Sequence, residues 1–216
     1  MDLLKDIFAH IYDVEYIIRL ACENGIAYTI LTIFVFAETG MLVGFFLPGD
    51  SLLVTAGIFA SRGDLNIFIL LGLLIAATLI GDSTGYLIGL KIGPKIFSKE
   101  QSFFFRKDYL IKTKDFYDKY GGFTISIARF MPIIRTFAAT VAGVGQMKYT
   151  KFLKYDIIGG VSWVLSLTLC GYFLGQLFPG VMKRLELVII IVIFVSLLPA
   201  IIKFISHKLK NSRKAK

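Results

Sequence analysis

The sequence predicts an all-α membrane protein: an inverted repeat of a re-entrant helical hairpin plus a transmembrane helix, with an N-terminal amphipathic helix and a C-terminal transmembrane helix. Three observations lead there. The composition is apolar and poor in charge, two of the long apolar runs are broken by Pro and Gly, and short strings recur at a fixed offset. Hydrophobic residues make up 56% and charged residues 18% of the 216, and the mean hydropathy is +0.73. Soluble domains average about 25% charged residues, so one or two soluble domains of this length are excluded. The formal net charge of +9, from 24 basic and 15 acidic residues, would suggest nucleic acid in a soluble chain. In a membrane chain it reports anionic lipid or orientation instead, and no nucleic-acid partner is expected.

Residues 1–25 carry charges throughout and lack the uninterrupted apolar core of a secretion signal. Ile7, Ile11, Val14, Ile17 and Ile18 fall at helical spacing, which predicts an amphipathic helix lying in the membrane interface. Three later runs, about 66–90, 157–178 and 185–205, are long enough to span the roughly 30 Å hydrocarbon core, which takes about 20 residues. Two others are interrupted. Residues 26–60 carry Glu38 and Asp50 around the break at Phe46–Gly49, which contains Pro48 and Gly49. Residues 123–145 carry Arg129 and Arg135 around Pro132. Non-helical backbone at membrane depth persists only where protein or a water-filled cavity satisfies it, so both read as re-entrant hairpins. The chain then divides into the N-terminal helix 1–25, a transport domain 26–180, a C-terminal span 181–206 and a basic tail 207–216. Repeat 1 covers about 26–93 and repeat 2 about 116–180.

The repeat rests on matched strings. Ala56-Gly57 and Gly85-Tyr86, the latter opening GYLIG, recur 86 residues later as Ala142-Gly143 and as Gly171-Tyr172, which opens GYFLG. Pro48 and Pro132 are 84 apart. Basic residues set the orientation. Segment 91–120 holds eight Lys or Arg against four acids, segment 146–156 holds Lys148, Lys151 and Lys154 against Asp156, and the tail from Lys203 holds six bases and no acid. The spans put all three on one face, which the positive-inside rule makes cytoplasmic. The two hairpins then open to opposite sides, the plan of many transporters whose sites lie where broken helices meet.

Five charges fall within apolar surroundings: Glu38, Asp50, Asp82, Arg129 and Arg135. A charge at a helix centre costs about 2.5–3.5 kcal/mol on insertion scales, whereas a Leu or Phe contributes only about −0.3 to −0.6. These five must therefore face protein, water or one another. Glu38 and Asp50 are the candidates for proton coupling and gating, since a buried carboxyl can exchange protons; Asp50 could instead cap the helix starting near Ser51. Asp82 is a supporting charge or a structural partner for an arginine. Arg129 and Arg135 are the candidate phosphate ligands, because guanidinium offers a charged planar fork to phosphate oxygens. Their alternative role is to neutralise Glu38 and Asp50 across the repeat interface. Gly81, Gly85, Gly89 and Gly93 form a stripe for close helix packing, and Tyr86, Trp163 and Tyr172 read as interface or packing aromatics.

Cys22 and Cys170 imply no disulfide framework, and His10 and His207 lie outside the core. No metal site, cofactor or P-loop is expected. With no nucleophile–base pair visible either, the chain is not expected to be an enzyme.

At these residues the chain resembles the DedA family, also described through the VTT or SNARE-associated Golgi domain. The matching strings are FAETGMLVGFFLPGDSLLVTAG from Phe36, GDSTGYLIGLKIG from Gly81, FYDKYGGFTISIARFMPIIRTFAATVAGVGQM from Phe116 and GGVSWVLSLTLCGYFLG from Gly159. The resemblance covers roughly residues 25–180. Asp50 stands where many members carry Glu, which keeps the carboxylate but shortens its reach. The resemblance implies a multi-pass bacterial inner-membrane protein that moves a lipid between leaflets. In several bacterial members that lipid is undecaprenyl phosphate, returned to the cytoplasmic side with proton-motive-force dependence. The family's acidic pair and arginine pair match Glu38, Asp50, Arg129 and Arg135. Expected partners are the lipid, which could also be an ordinary phospholipid, protons and the membrane itself, and a homo-oligomer is compatible with all of this. A phospholipid scramblase, a proton-coupled exporter of small cations and a non-transporting membrane organiser remain alternatives.

Overall fold

The computed structural model describes residues 14–41, 49–96 and 122–178. Among them the chain is helical: α1 (Val14–Glu23), α2 (Ala27–Gly40), α3 (Gly49–Ser61), α4 (Ile67–Ile96), α5 (Phe123–Ala128), α6 (Pro132–Val144) and α7 (Tyr149–Leu177). The expected span 185–205, the basic tail, most of segment 91–120, Ile7, Ile11 and Pro48 lie outside the described residues.

Two helices, α4 and α7, are long and apolar enough to cross a membrane, and only about a third of either is buried by protein. The rest of their surface, including Phe68, Ile80, Leu87, Ile158 and Phe173, is exposed, as a lipid-facing side requires. Asn66 starts α4: its Oδ1 accepts the backbone N–H groups of Phe68 at 3.0 Å and Ile69 at 3.2 Å, satisfying donors that the first helical turn leaves free. The second span begins at Tyr149, earlier than the hydropathy-based start at 157. The additional turns carry Lys151 and Lys154 outward and Phe152 and Asp156 inward.

The amphipathic helix also differs from expectation. Val14, Ile17, Ile18 and Ala21 of α1 are buried, and α1 packs on α2 and α3. The described part of its apolar stripe, Val14 to Ala21, is therefore covered by protein. The cause lies in α3, where every residue described from Ser51 to Ala60 is buried. A helix apolar on all sides needs cover on all sides, and α1 supplies part of it.

The order of contacts fixes the helix directions. The Asn66 N–H donates to Tyr28 Oη at 2.7 Å near the start of α2 and α4, and Gly40 lies against Gly81 further along, so these helices run together. Likewise Gly122 meets Tyr155 and Ser126 meets Gly159, so α5 runs with α7. The partner arms cross over: α3 runs along α7, with Val54 by Gly171 and Ile58 by Gly175. Meanwhile α6 runs along α4, with Thr140 by Gly89 and Val144 by Gly93. The two long helices oppose each other, since Tyr86 stacks on Phe152 at 4.8 Å while Thr78 lies by Gly160. It follows that α2 opposes α3 and α5 opposes α6.

The crossing contacts correct the register of the matched strings. A Cβ on Gly57 would meet the Thr168 carbonyl and Tyr172 nitrogen, and one on Gly143 would meet the Tyr86 carbonyl and Leu90 nitrogen. Gly171 abuts the Val54 carbonyl just as Gly89 abuts that of Thr140. Between the short arms the 86-residue offset holds, but between the long helices it is 82, one helical turn less. Gly89, not Gly85, is thus the packing counterpart of Gly171. The physical reason is the stripe itself: glycines every four residues match one another equally well after a one-turn slip, so string identity could not choose the register.

Candidate functional site

Four helix segments converge where the short arms end. At the C-terminal end of α2, Glu38 is buried beside the close Gly40–Gly81 crossing. At the start of α3, Gly49 presents its backbone N–H to the Glu38 carboxylate, a favourable place for an anion at a helix N-terminus. A side chain on Gly49 would collide with that carboxylate. Asp50 follows within the first turn of α3, inside the helix rather than at its cap.

Arg135, one turn into α6, joins these two acids. Its Nη2 donates to Glu38 Oε1 and its Nη1 to Asp50 Oδ1. Trp163 of α7 completes the group: its indole N–H donates to the same Asp50 oxygen at 3.0 Å. Its ring also lies under the guanidinium, with Arg135 Cζ 4.4 Å from the ring centroid, a cation–π geometry. Glu38, Arg135 and Trp163 are each at most 4% exposed, while the Asp50 side chain keeps 14% of its surface open.

Arg129 does not join this group. It sits in the break between α5 and α6, where Gly159 lets α5 approach α7 so closely that a Cβ there would lie 3.1 Å from Arg129 Cγ. Its Nη2 donates to Asp82 Oδ2 of α4 and to Asp156 Oδ1 of α7. Both acids are 0% exposed. Arg129 Nη1, Asp82 Oδ1 and Asp156 Oδ2 are buried without a hydrogen-bond partner. The two arginines are within electrostatic reach of each other.

The sequence-derived residues are therefore divided. Glu38, Asp50 and Arg135 come together, Gly49 supports them, and Arg129 pairs with Asp82. Pro132 opens α6 as its first residue, a position where its missing N–H leaves nothing unsatisfied, and Pro48 lies outside the described residues. Two members were missed. Asp156, which the sequence groups with the basic segment 146–156, is buried, and Trp163, which reads there as an interface or packing aromatic, hydrogen-bonds Asp50 and lies under Arg135. Asp156 shares a stripe with Phe152, Gly159, Gly160 and Trp163, all buried; their spacing of three and four residues was the available signal. Among the described residues no three of His, Cys, Asp and Glu gather as metal ligands. Both cysteines are free.

The VTT domain family model matches residues 47–173, more than half of the chain. The chain is also 45% identical to "Protein DedA" of Escherichia coli (strain K12), over the full length of both. The chain belongs to the DedA family. Further DedA-family relatives include "Uncharacterized membrane protein ML0287" of Mycobacterium leprae (strain TN), 43% identical over 85% of this chain and 82% of the relative. "Inner membrane protein YqjA" of Escherichia coli (strain K12) is 31% identical over 70% of this chain and 69% of the relative. No solved structure matches the chain. The match to the VTT model takes in both arginines, Asp50, Asp82, Asp156 and Trp163, whereas Glu38 falls before it. This DedA-family chain is thus a helical membrane protein with two buried groups of charge.

Proposed function

We propose that the chain moves a lipid phosphate across the bacterial inner membrane, coupled to the proton gradient, with undecaprenyl phosphate returning from the outer to the cytoplasmic leaflet as the best-fitting substrate. In this reading α2–α3 and α5–α6 are re-entrant hairpins of an inverted repeat that open to opposite sides, and the C-terminus is cytoplasmic. The opposed long helices and the arms that run with and then against them support that arrangement. One observation carries the functional reading: the Arg135 guanidinium, in an otherwise apolar membrane protein, is held by two carboxylates at the tips of two broken helices. Both of its Nη atoms hold a carboxylate while its buried Nε has no partner, so a phosphate that takes the two-pronged Nη edge does so by replacing a carboxylate. Protonation of Glu38 or Asp50 weakens their hold and makes the exchange favourable. Arg129 is near enough to share the anion's charge. The polyprenyl tail stays in the lipid, so only the headgroup needs a polar path, and no covalent chemistry is required of the chain.

A second reading has one observation in its favour. Among the described residues three buried carboxylates, Glu38, Asp82 and Asp156, and the partly open Asp50 face two buried guanidiniums, an acidic excess that suits proton-coupled export of a small cation. The test separates the two. The purified protein is reconstituted into liposomes and leaflet exchange of undecaprenyl phosphate and of ordinary phospholipid is followed with and without a pH gradient. Gradient-dependent exchange of the carrier lipid, lost in Glu38→Gln, is the expected outcome. Equal exchange of both lipids reduces the activity to scrambling. Movement of neither lipid by folded protein removes the lipid reading, and cation flux in the same liposomes would then support the exporter.

A further inference from the structure

We propose that Asp82 and Asp156 share one exchangeable proton, making the Arg129 group a second proton site separate from Glu38 and Asp50. The argument begins with how the guanidinium is used. Asp82 Oδ2 and Asp156 Oδ1 both bond to the same nitrogen, Nη2, while Nη1 has no partner. Two carboxylates converging on one nitrogen are held close to each other. Like charges so close in a buried site disfavour full ionisation of both, the reason paired carboxyls elsewhere share a proton.

Charge counting gives the same result. Fully ionised, the group would carry one net negative charge, on residues at most 2% exposed. An uncompensated charge at membrane depth is costly. One proton makes the group neutral and leaves one carboxylate to pair with the guanidinium. The oxygens able to accept it are on hand, because Asp82 Oδ1 and Asp156 Oδ2 are buried without partners. The proton comes from water, forms one O–H bond on either oxygen and returns to water on release. Among the described residues the ionisable neighbours already have partners or act at longer range. Arg129 comes from the α5–α6 break, and Arg135 of α6 acts on Asp82 at longer range. Tyr86 of α4 gives its hydroxyl to the Met147 carbonyl. Tyr149 of α7 pairs with Ser83 beside Asp82 at 3.0 Å. Among the described residues none of these supplies a second positive charge to Asp156.

The proposal does not depend on what the chain transports, so the test does not measure transport. Infrared spectra of the full chain, folded in detergent, are recorded through neutral and mildly acidic pH for the carbonyl stretch of a protonated carboxyl. The wild type should show such a band, moved by incorporation of isotope-labelled aspartate, abolished in D82N or in D156N, and retained in E38Q. If one Asp variant fails to fold, the other reads the same proton; if both fail, the aspartate label in wild type decides. A folded wild type with no protonated-carboxyl band overturns the proposal. So does a band that ignores the aspartate label, or one lost in E38Q but kept in the Asp variants. An intact band in a protein that moves no lipid would sink the lipid reading alone.

Discussion

Arg135 and Arg129 each lie between two carboxylates, yet the two groups are built differently. Arg135 spreads its partners over both Nη atoms, and each acid has a further donor: Gly49 N–H for Glu38 and the Trp163 indole for Asp50. Arg129 draws both acids to one nitrogen, and no other donor to those acids is recorded among the described residues. The first group lies at the tips of two short arms, with Asp50 partly open. The second ties the two long helices together and is closed. Equal composition with unequal support means that the acids around Arg135 keep a donor when the arginine is lost, whereas those around Arg129 do not.

The largest effect should separate the groups by stability. Arg129→Ala leaves two buried carboxyls with nothing to replace the guanidinium, and breaking a buried pair in this way costs about 3–5 kcal/mol. Arg135→Ala should melt closer to wild type, because Gly49 and Trp163 still serve its acids, while abolishing lipid exchange. Thermal unfolding in detergent beside liposome exchange reads both; a less stable Arg135→Ala would break the comparison. Next comes Trp163→Phe, which keeps a ring under Arg135 but removes the bond to Asp50. A hydrogen bond to a charged group contributes about 1.5–3 kcal/mol, so a smaller loss of stability is expected, with exchange displaced along the pH axis. The smallest effect is Asp50→Glu. Asp50 is the most open acid of the two groups and the carboxylate is kept, so melting should fall by no more than about 1 kcal/mol, the centre of the range for point substitutions. Asp82→Glu, in the closed group, should cost clearly more in the same melt.

Much of this was legible in the sequence, for definite reasons. A charge inside an apolar run has few places to go, so Glu38, Asp50, Asp82 and both arginines stood out before any packing was known. Pairing was not legible: nothing in one dimension says that Arg129 turns to α4 and α7 while Arg135 turns to α2 and α3. Asp156 was hidden by its neighbours, since three lysines within eight residues made a helix start read as a loop. Trp163 was hidden by its type, because tryptophan in an apolar helix usually marks the interface. The one-turn slip between the matched strings was hidden by the glycine stripe, whose own period equals the slip.

The spacing of the ion pairs along the chain also orders events in time. Arg135 is 97 residues beyond Glu38 and 85 beyond Asp50, whereas Asp156 follows Arg129 by 27. At synthesis rates of about 5–20 residues per second, the two acids exist for roughly 4–20 s before their arginine is made. Until then neither has its ion-pair partner, and a lone ionised carboxylate in hydrocarbon is costly. Closing the group of Glu38, Asp50 and Arg135 is therefore a late step that waits for the synthesis of α6.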